Sequence, residues 1–218
     1  AVTRGNGEFG EVITNNAKVF ANIPVSISYK RELILRGEAV IRYSDFYKIN
    51  NEIEDVAAKY KNPRNLCSGS VRQLNNKITA ERNVHFIAFS LDKADGIDFD
   101  NSRIAQLYWL IGQGFDVVRF KKVDAGNLEE SISWFDDHIK DNDFPSDGLV
   151  LTYDDIKYGE SLGKTAKFPR DAIAFKWRDE IKDTRLLEVE WSPSRTGLIN
   201  PIAVFEPVEL EGTTVSRA

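Results

Sequence analysis

The sequence predicts an α+β protein in which strands and amphipathic helices share most of the chain and strands alone follow near its end. Residues 32–41 and 84–91 are rich in β-branched and apolar side chains, which favours strands. Apolar residues at helical spacing predict three helices, over residues 44–59, 102–114 and 127–140. From residue 186 onward only strands and turns are predicted, which indicates a domain boundary near residue 185.

Local signals refine these elements in chain order. Gly37 predicts a bend in the first strand, and Ser44 is predicted to be the N-cap of the first helix. Residues 62–76 are small, polar and turn-rich, and we expect a loop that leads into a short helix. Gly114 predicts the end of the helix over residues 102–114.

Two short apolar strands each carry a fixed charge at one end. Asp147 precedes the run Gly-Leu-Val-Leu, and Lys176 follows Ala-Ile-Ala-Phe some twenty residues later. If these strands are neighbours, they deliver a carboxylate and an ammonium group into one pocket. This arrangement is typical of a site that handles nucleotides.

Charge and cysteine content narrow the class of protein. The chain has 218 residues, a formal net charge of −5 and one cysteine, Cys67. The negative charge argues against nucleic-acid binding through a surface that is basic throughout, so phosphate contacts must be local. The candidates for such contacts are Arg64, Arg72, Lys164, Lys167 and Arg170. A single cysteine excludes an internal disulfide and an all-cysteine metal site, and we expect a reducing, cytoplasmic location with no membrane segment.

Seven short motifs occur in a fixed order. They are Arg-Gly-Glu at 36–38, Asn-Pro-Arg-Asn at 62–65, Gly-Ser-Val-Arg-Gln-Leu at 69–74, Phe-Ile-Ala-Phe at 86–89, Asp-Gly-Leu-Val-Leu at 147–151, Ala-Ile-Ala-Phe-Lys-Trp at 172–177 and Arg-Thr-Gly at 195–197. This ordered set resembles the NAD-dependent DNA ligases of bacteria. The opening Thr-Arg-Gly segment and the closing Val-Ser-Arg-Ala extend the resemblance over nearly the whole chain.

The resemblance implies both a fold and a reaction. Residues 1–185 are expected to form a nucleotidyltransferase (adenylation) domain with an ATP-grasp-like fold of antiparallel sheets and flanking helices, and residues 186–218 to form the first strands of an OB fold. The family seals nicks in double-stranded DNA, in replication and repair, through lysyl-AMP and DNA-adenylate intermediates. NAD and Mg²⁺ are the implied cofactors, and we expect a monomer.

The resemblance also implies roles for the nucleotide-binding residues. Lys176 matches a lysine that contacts the α-phosphate, and Glu38 a glutamate that contacts the ribose. Phe89 takes the place of an aromatic residue that stacks on adenine, and Arg4 that of an arginine that binds phosphate or ribose oxygens. We expect these four side chains to surround one adenylate-sized hollow.

Further matches concern the DNA and the divalent cation. Arg64 and Arg72 match arginines implicated in ligation on the DNA side, and Asp147 matches an aspartate that could help to hold a cation beside the phosphates. Arg195 begins a turn suited to a DNA backbone contact. Without the family, Arg64 and Arg72 would be solvated loop charges.

Glu38 and Phe89 also have ordinary readings when the resemblance is set aside. Glu38 would be a surface carboxylate of a strand, and Phe89 a residue of the hydrophobic core.

Three departures from the family pattern stand out. The family's nucleophilic lysine lies in a Lys-x-Asp-Gly motif upstream of the Thr-Arg-Gly segment, so we expect it outside this chain and expect the isolated chain to be inactive. A literal copy at residues 93–96, beginning with Lys93, falls in a polar turn and is not expected to be the nucleophile. Thr152 replaces a lysine, for which Lys157 or Lys164 would compensate. Cys67 replaces alanine as a small buried residue.

Two other functions remain open on these residues. One is a different covalent nucleotidyltransferase, such as an ATP-dependent ligase or a capping enzyme, which would share the Arg-Gly-Glu, Asp-Gly and lysine-strand motifs. The other is a non-catalytic protein that binds DNA. The motifs at 62–65 and 69–74 discriminate against the first, and the retained Arg4, Glu38 and Lys176 argue against the second.

Overall fold

A computed structural model describes residues 1–7, 9–55, 58–165, 168–176, 181–210 and 213–218. The chain divides into two compact units, Ala1–Trp177 and Arg178–Ala218, and each is described by itself. The assignment of a domain boundary near residue 185 stays a prediction. Among the described residues, no helix combines the length and the apolar character that a bilayer crossing requires.

The first unit mixes short helices with two antiparallel strand pairs. Its elements are α1 (Thr14–Ala17), β1 (Leu33–Val40), α2 (Tyr43–Glu52), α3 (Pro63–Ser70), α4 (Asn76–Glu81), β2 (His85–Ala94), α5 (Arg103–Gly112), α6 (Leu128–His138), a 3-10 turn (Ile139–Asp141), β3 (Gly148–Thr152), α7 (Ile156–Ser161) and β4 (Ala172–Lys176). The second unit contains β5 (Leu186–Pro193), β6 (Ile199–Leu210) and β7 (Thr213–Arg217).

The strands β1 and β2 form an antiparallel pair whose register shifts twice, first between Ile34 and Leu35. Glu38 lies opposite Ile87, and the register shifts between Arg36 and Gly37. The bend predicted in β1 at Gly37 stays a prediction, but Gly37 does lie where the register changes. A Cβ atom at Gly37 would lie 2.4 Å from the carbonyl oxygen of Ile87 and 2.4 Å from the ring of Phe86, so only glycine allows the two strands to approach this closely.

One face of this strand pair lies against the hydrophobic core. Along β1 the burial alternates, as expected for a strand with one covered face. Two clusters of buried side chains form the core: Ala17, Phe20, Ile41, Phe46, Leu66, Cys67, Val71 and Val84 in one, and Ala88, Leu91 and Leu110 in the other. Phe86 packs against both clusters. The alternate residues of β1, Glu38 among them, therefore point away from the core.

The strands β3 and β4 form a separate antiparallel ribbon. Gly148 lies opposite Lys176, which confirms that the two charged apolar strands are neighbours. A Cβ atom at Gly148 would lie 2.2 Å from the carbonyl oxygen of Phe175, so glycine is required here as well. None of the ten ribbon residues is buried; Val150 is 69% exposed.

Polar contacts attach the far end of the ribbon to the start of α5. Asp154 accepts hydrogen bonds from Ser102 Oγ at 2.8 Å, from the Ile104 backbone N–H at 3.0 Å and from Lys122 Nζ at 3.0 Å. Burial alone would raise the pKa of Asp154, but these three donors hold the pKa below its usual range. Arg103 pairs with Asp171 close by. The ribbon is thus fixed by charge and hydrogen bonding.

Two predicted elements differ from the structure. The helix predicted over residues 44–59 ends at Glu52, because Ile53 is extended and the side chain of Asn50 instead binds both the N–H and the carbonyl of Tyr60, at 2.9 Å each. Ser44 is not the N-cap, which is Arg42. The Ser44 hydroxyl binds Asp143. Val56 and Ala57, also placed in that helix, lie outside the described residues.

The loop predicted over residues 62–76 contains α3. Asn62 caps this helix by accepting a hydrogen bond from the Asn65 backbone N–H at 2.8 Å, and Pro63 occupies its first turn. The buried side chains of Leu66 and Cys67 hold it against the core. Packing therefore overrides a composition that is poor in helix formers.

The second unit is an antiparallel sheet with the order β5, β6, β7. Its content of strands and turns agrees with the prediction for residues 186 onward. An exposed turn at Arg195 to Gly197 joins the first two, where Ser194 accepts a hydrogen bond from the Leu198 N–H. The predicted mixture of helices and small antiparallel sheets is therefore confirmed. The nucleotidyltransferase and OB-fold assignments stay predictions.

Candidate active site

The candidate site is built where α3 meets the end of β1. The Sγ of Cys67 on α3 contacts the carbonyl oxygen of Ala39 at 3.1 Å, which brings the helix onto the strand. A hollow of about 30 Å³ opens beside this contact and is lined by Glu38, Arg64 and Pro145 among others. Such a volume is near that of a single water molecule, so the closed part of the site is small.

An ion pair joins this hollow to the ribbon. Arg64 Nη2 lies 2.6 Å from Asp147 Oδ2, and both side chains are more than half exposed. Asp147 directly precedes Gly148, which faces Lys176 across the ribbon. The structure therefore brings Glu38, Arg64, Asp147 and the backbone of Lys176 towards one junction, from four parts of the chain.

The carboxylate of Asp147 and the ammonium group of Lys176 were expected in one pocket, but Asp147 pairs with a different cation. The Asp147 carboxylate binds Arg64, while Lys176 is exposed at the ribbon end. An exposed pair of this kind contributes only about 0–1 kcal/mol to stability. Its main effect is thus to fix where the two charges lie.

Phe89 lies on β2 where the register with β1 is broken. Ser90 pairs with Arg36 and Ala88 pairs with Gly37, so Phe89 is the extra residue of a bulge. Its side chain is 46% exposed, whereas Ala88 is fully buried. The ordinary reading of Phe89 as a core residue is therefore wrong. Whether the ring stacks on adenine stays a prediction.

Arg4 lies in an amino-terminal hairpin. Val2 pairs with Val12, and the Thr3 N–H donates to the Glu11 carbonyl at 2.9 Å. The Glu11 carboxylate in turn binds Nε of Arg72, just beyond α3. Glu11 therefore connects the hairpin that carries Arg4 to the side chain of Arg72. Glu11 was not among the predicted site residues, although it lies in the segment that matches the family's opening motif.

The four residues expected around one hollow are only partly assembled. Glu38 lines the small hollow, but Arg4, Phe89 and Lys176 line neither that hollow nor a larger one of about 440 Å³. The larger one is lined by Arg42, Ile87, Ile111, Phe115, Asp116, Val117, Arg119, Asp141, Asn142, Asp143 and Phe144. A hollow shared by the four stays a prediction.

The side chain of Thr152 binds the backbone just before β4. Its Oγ1 donates a hydrogen bond to the Asp171 carbonyl oxygen at 3.1 Å, and it lies opposite Ala172 on the ribbon. A hydroxyl cannot supply positive charge. Lys157 and Lys164, named as replacements, are both exposed. Lys167, another candidate phosphate contact, lies outside the described residues.

Two sequence-based expectations about reactivity agree with the structure. Lys93 binds Glu32 and Asp95, and a hydrogen bond from Lys93 to Glu32 together with the Asp95 charge raises its pKa. A lysine held as ammonium is a poor nucleophile. Cys67 is buried, and burial, with repulsion from Glu38, raises the pKa of its thiol to about 12. Neither the paired Lys93 nor the buried Cys67 is therefore favoured as a nucleophile.

Comparisons with known proteins agree with the motifs. Residues 1–180 match the family described as the NAD-dependent DNA ligase adenylation domain. A protein of Ruminiclostridium cellulolyticum named DNA ligase is 75% identical over the whole chain, and one of Lachnoclostridium phytofermentans is 68% identical. A DNA ligase of Clostridioides difficile is 39% identical over 99% of the chain.

The chain spans about a third of the length of these relatives, at 33%, 33% and 32%. The match to the family description covers well over half of the chain. The chain therefore belongs to the family of NAD-dependent DNA ligase adenylation domains.

Proposed function

We propose that the whole protein seals nicks in double-stranded DNA, with NAD as the source of the adenylate. The observation that carries this proposal is the junction at which the Arg64–Asp147 ion pair joins α3 to the ribbon that bears Lys176. Family membership supports the same reading. Residues 186–218 are proposed to begin an OB fold, and the protein is proposed to act as a cytoplasmic monomer in replication and repair.

For the first step, the chemistry requires positive charge beside the α-phosphate. As nicotinamide mononucleotide leaves, negative charge grows on the phosphate oxygens, and a fixed cation lowers the free energy of that transition state. Lys176 is proposed to supply this charge. Glu38 would accept hydrogen bonds from the ribose hydroxyls, and the exposed ring of Phe89 would stack on adenine.

For the DNA steps, we assign Arg64 and Arg72 to the phosphates at the nick. A guanidinium group binds phosphate through two parallel hydrogen bonds. Both arginines are already held by carboxylates, Arg64 by Asp147 and Arg72 by Glu11. A phosphate would exchange for those carboxylates as the DNA binds. Arg4, in the hairpin that carries Glu11, is proposed to bind phosphate or ribose oxygens.

A divalent cation fits this site only if the nucleotide supplies most of its ligands. Among the described residues, no group of three or more His, Cys, Asp or Glu side chains could hold a metal ion. Mg²⁺ commonly binds proteins through one or two carboxylates together with substrate phosphates. Asp147 is the carboxylate that we assign to it, and bound Mg²⁺ would offset charge on the phosphate oxygens.

The proposal is tested with the full-length protein. Incubation with NAD should add one AMP to the protein, seen by intact mass, whereas ATP should add none. The adenylated protein should then seal a duplex that carries a single 5′-phosphorylated nick. Adduct formation with ATP would instead indicate the other class of covalent nucleotidyltransferase.

A non-catalytic DNA-binding function is the second candidate, and Thr152 is the observation that favours it. A lysine of the family is replaced there by a residue without charge. If the full-length protein bound nicked DNA but formed no AMP adduct with either nucleotide, this second candidate would replace the first.

A further inference from the structure

Asn16, a residue of the short helix α1, makes three side-chain hydrogen bonds. Only 5% of it is exposed. Its Nδ2 donates hydrogen bonds to the carbonyl oxygens of Val71 at 2.8 Å and of Gln73 at 2.9 Å. Its Oδ1 accepts a hydrogen bond from Thr79 Oγ1 at 3.0 Å. One amide therefore holds the two carbonyls that flank Arg72.

These contacts lie at the carboxyl end of α3. Helix α3 ends at Ser70, and Val71 is its C-cap residue. Beyond a helix end, the last carbonyls lack partners within the helix. Asn16 supplies those partners from a part of the chain more than fifty residues away. Thr79, which is fully buried, contacts the Ser70 carbonyl at 2.8 Å as well.

The same amino-terminal segment also orients the side chain of Arg72. The Glu11 carboxylate, five residues before Asn16, binds Arg72 Nε. The Arg72 Nη1 donates to Ser68 Oγ at 3.1 Å. Main chain and side chain of Arg72 are thus held independently, one by Asn16 and the other by Glu11 and Ser68.

We propose that Asn16 is a positioning residue for Arg72 in nick sealing. The inference rests on the proposed function, since it takes Arg72 to be a DNA contact. Asn16 is too buried to touch the DNA itself. It acts by keeping the Arg72 backbone in one conformation. The guanidinium group then binds the phosphate with a smaller loss of conformational entropy.

The test is a double-mutant cycle in the full-length protein, read by single-turnover sealing of nicked DNA that is already adenylated. Asn16→Ala should slow sealing roughly 10- to 100-fold when Arg72 is present. In the Arg72→Ala background, the same change should slow sealing by less than about twofold. Adenylation by NAD should stay within about twofold of wild type in the Asn16→Ala protein.

Asn50→Ala is the matched control. Asn50 also binds two backbone groups with its side chain, those of Tyr60, but it does not contact the Arg72 segment. Its removal should leave sealing within about twofold of wild type in both backgrounds. Thr79→Val serves if Asn16→Ala does not fold, because it removes one contact to Asn16 with little change in shape. It should show the same dependence on Arg72.

Amide hydrogen exchange gives a readout that does not depend on function. Asn16→Ala should raise exchange at residues 72–75 roughly tenfold, and Asn50→Ala should not. Equal losses of sealing with and without Arg72, or no loss at all, would overturn the proposal. If the wild-type protein sealed no nick, the proposed function would fall. The exchange data would then still decide whether Asn16 holds this segment.

Discussion

The two antiparallel strand pairs of the first unit hold their residues in place by different means. The β1–β2 pair packs one face against two hydrophobic clusters. The β3–β4 ribbon contains no buried residue. It is attached by the Arg64–Asp147 ion pair near one end and by the Asp154 hydrogen bonds near the other. Glu38 and Phe89 therefore lie on strands that hydrophobic packing holds in place. Asp147 and Lys176 lie on a ribbon that polar contacts hold in place.

This difference means that the stability of the fold and the proposed reaction depend mainly on different strand pairs. Hydrophobic burial supplies most of the free energy of folding, and the ribbon contributes little of it. Changes on the ribbon should therefore alter the reaction and leave the fold intact. Changes to the core residues that pack against β2 should lower the stability of the fold and leave the chemical step unaltered.

The largest expected effect is on the ribbon. Lys176→Ala should slow adenylation by NAD about 100- to 1000-fold, because it removes a fixed charge that meets the developing charge on phosphate. The thermal midpoint should shift by less than about 2 °C. Lys48→Ala, which removes an exposed lysine on α2, is the control and should leave the adenylation rate unchanged. A normal rate in Lys176→Ala would remove Lys176 from the site.

The next effect is on the packed pair. Leu91 is 4% exposed, and Leu91→Ala should lower the free energy of unfolding by about 2–4 kcal/mol. On the ribbon, Val150→Ala should lower it by less than about 0.5 kcal/mol. Urea titration of both variants measures the contrast. Equal losses would show that the ribbon is packed after all.

A smaller effect is expected beside Thr152, where the ribbon lacks the family's lysine. Lys164→Ala should slow adenylation about tenfold if that ammonium replaces the missing charge, a change of about 1.4 kcal/mol in the barrier. Lys157→Ala is the parallel variant for the other named cation. Unchanged adenylation rates in both would exclude compensation by either residue.

Asp154 anchors the far end of the ribbon and should contribute about 1 kcal/mol to stability. Its folded pKa lies below the unfolded value of 3.8, so this stabilisation is fully present above about pH 4. It should disappear as the pH falls through the folded pKa. The free-energy difference between wild type and Asp154→Asn, measured by urea unfolding, should be constant at neutral pH and shrink below pH 4. A difference that grew in acid would contradict this assignment.

The smallest effect is expected from the Arg64–Asp147 pair. A double-mutant cycle with Arg64→Met and Asp147→Asn should give a coupling in unfolding free energy below about 0.5 kcal/mol, and added salt should reduce it further. A coupling of several kcal/mol would mean that the ion pair stabilises the fold substantially, which is not expected of two exposed side chains.

Local patterns in the sequence predicted most of the fold but not all of it. Strand periodicity is a local property, so β1 and β2 were predicted within one to three residues at each end. Helix α3 was missed because its residues are small and polar and its stability comes from burial of Leu66 and Cys67. The length of α2 was overestimated because the Asn50 contacts with Tyr60 join residues ten apart.

The candidate site was predictable only in part, for a similar reason. Motif order identified Asp147 and Lys176, and their proximity across the ribbon is a finding of the structure. The Arg64–Asp147 contact joins residues 83 positions apart. Local sequence patterns do not determine how distant elements meet. The Glu11–Arg72 contact was missed on the same grounds.

The burial of Cys67 has a practical consequence for fluorescence work. It is the only cysteine in these 218 residues; its thiol is shielded by burial, which also raises the pKa of the thiol to about 12. Maleimide dyes attack the thiolate, so they will pass over this position. A cysteine introduced at an exposed site, such as Val150, would be the one that carries the dye in this region. Movement of the ribbon could then be followed by energy transfer without first removing the native thiol.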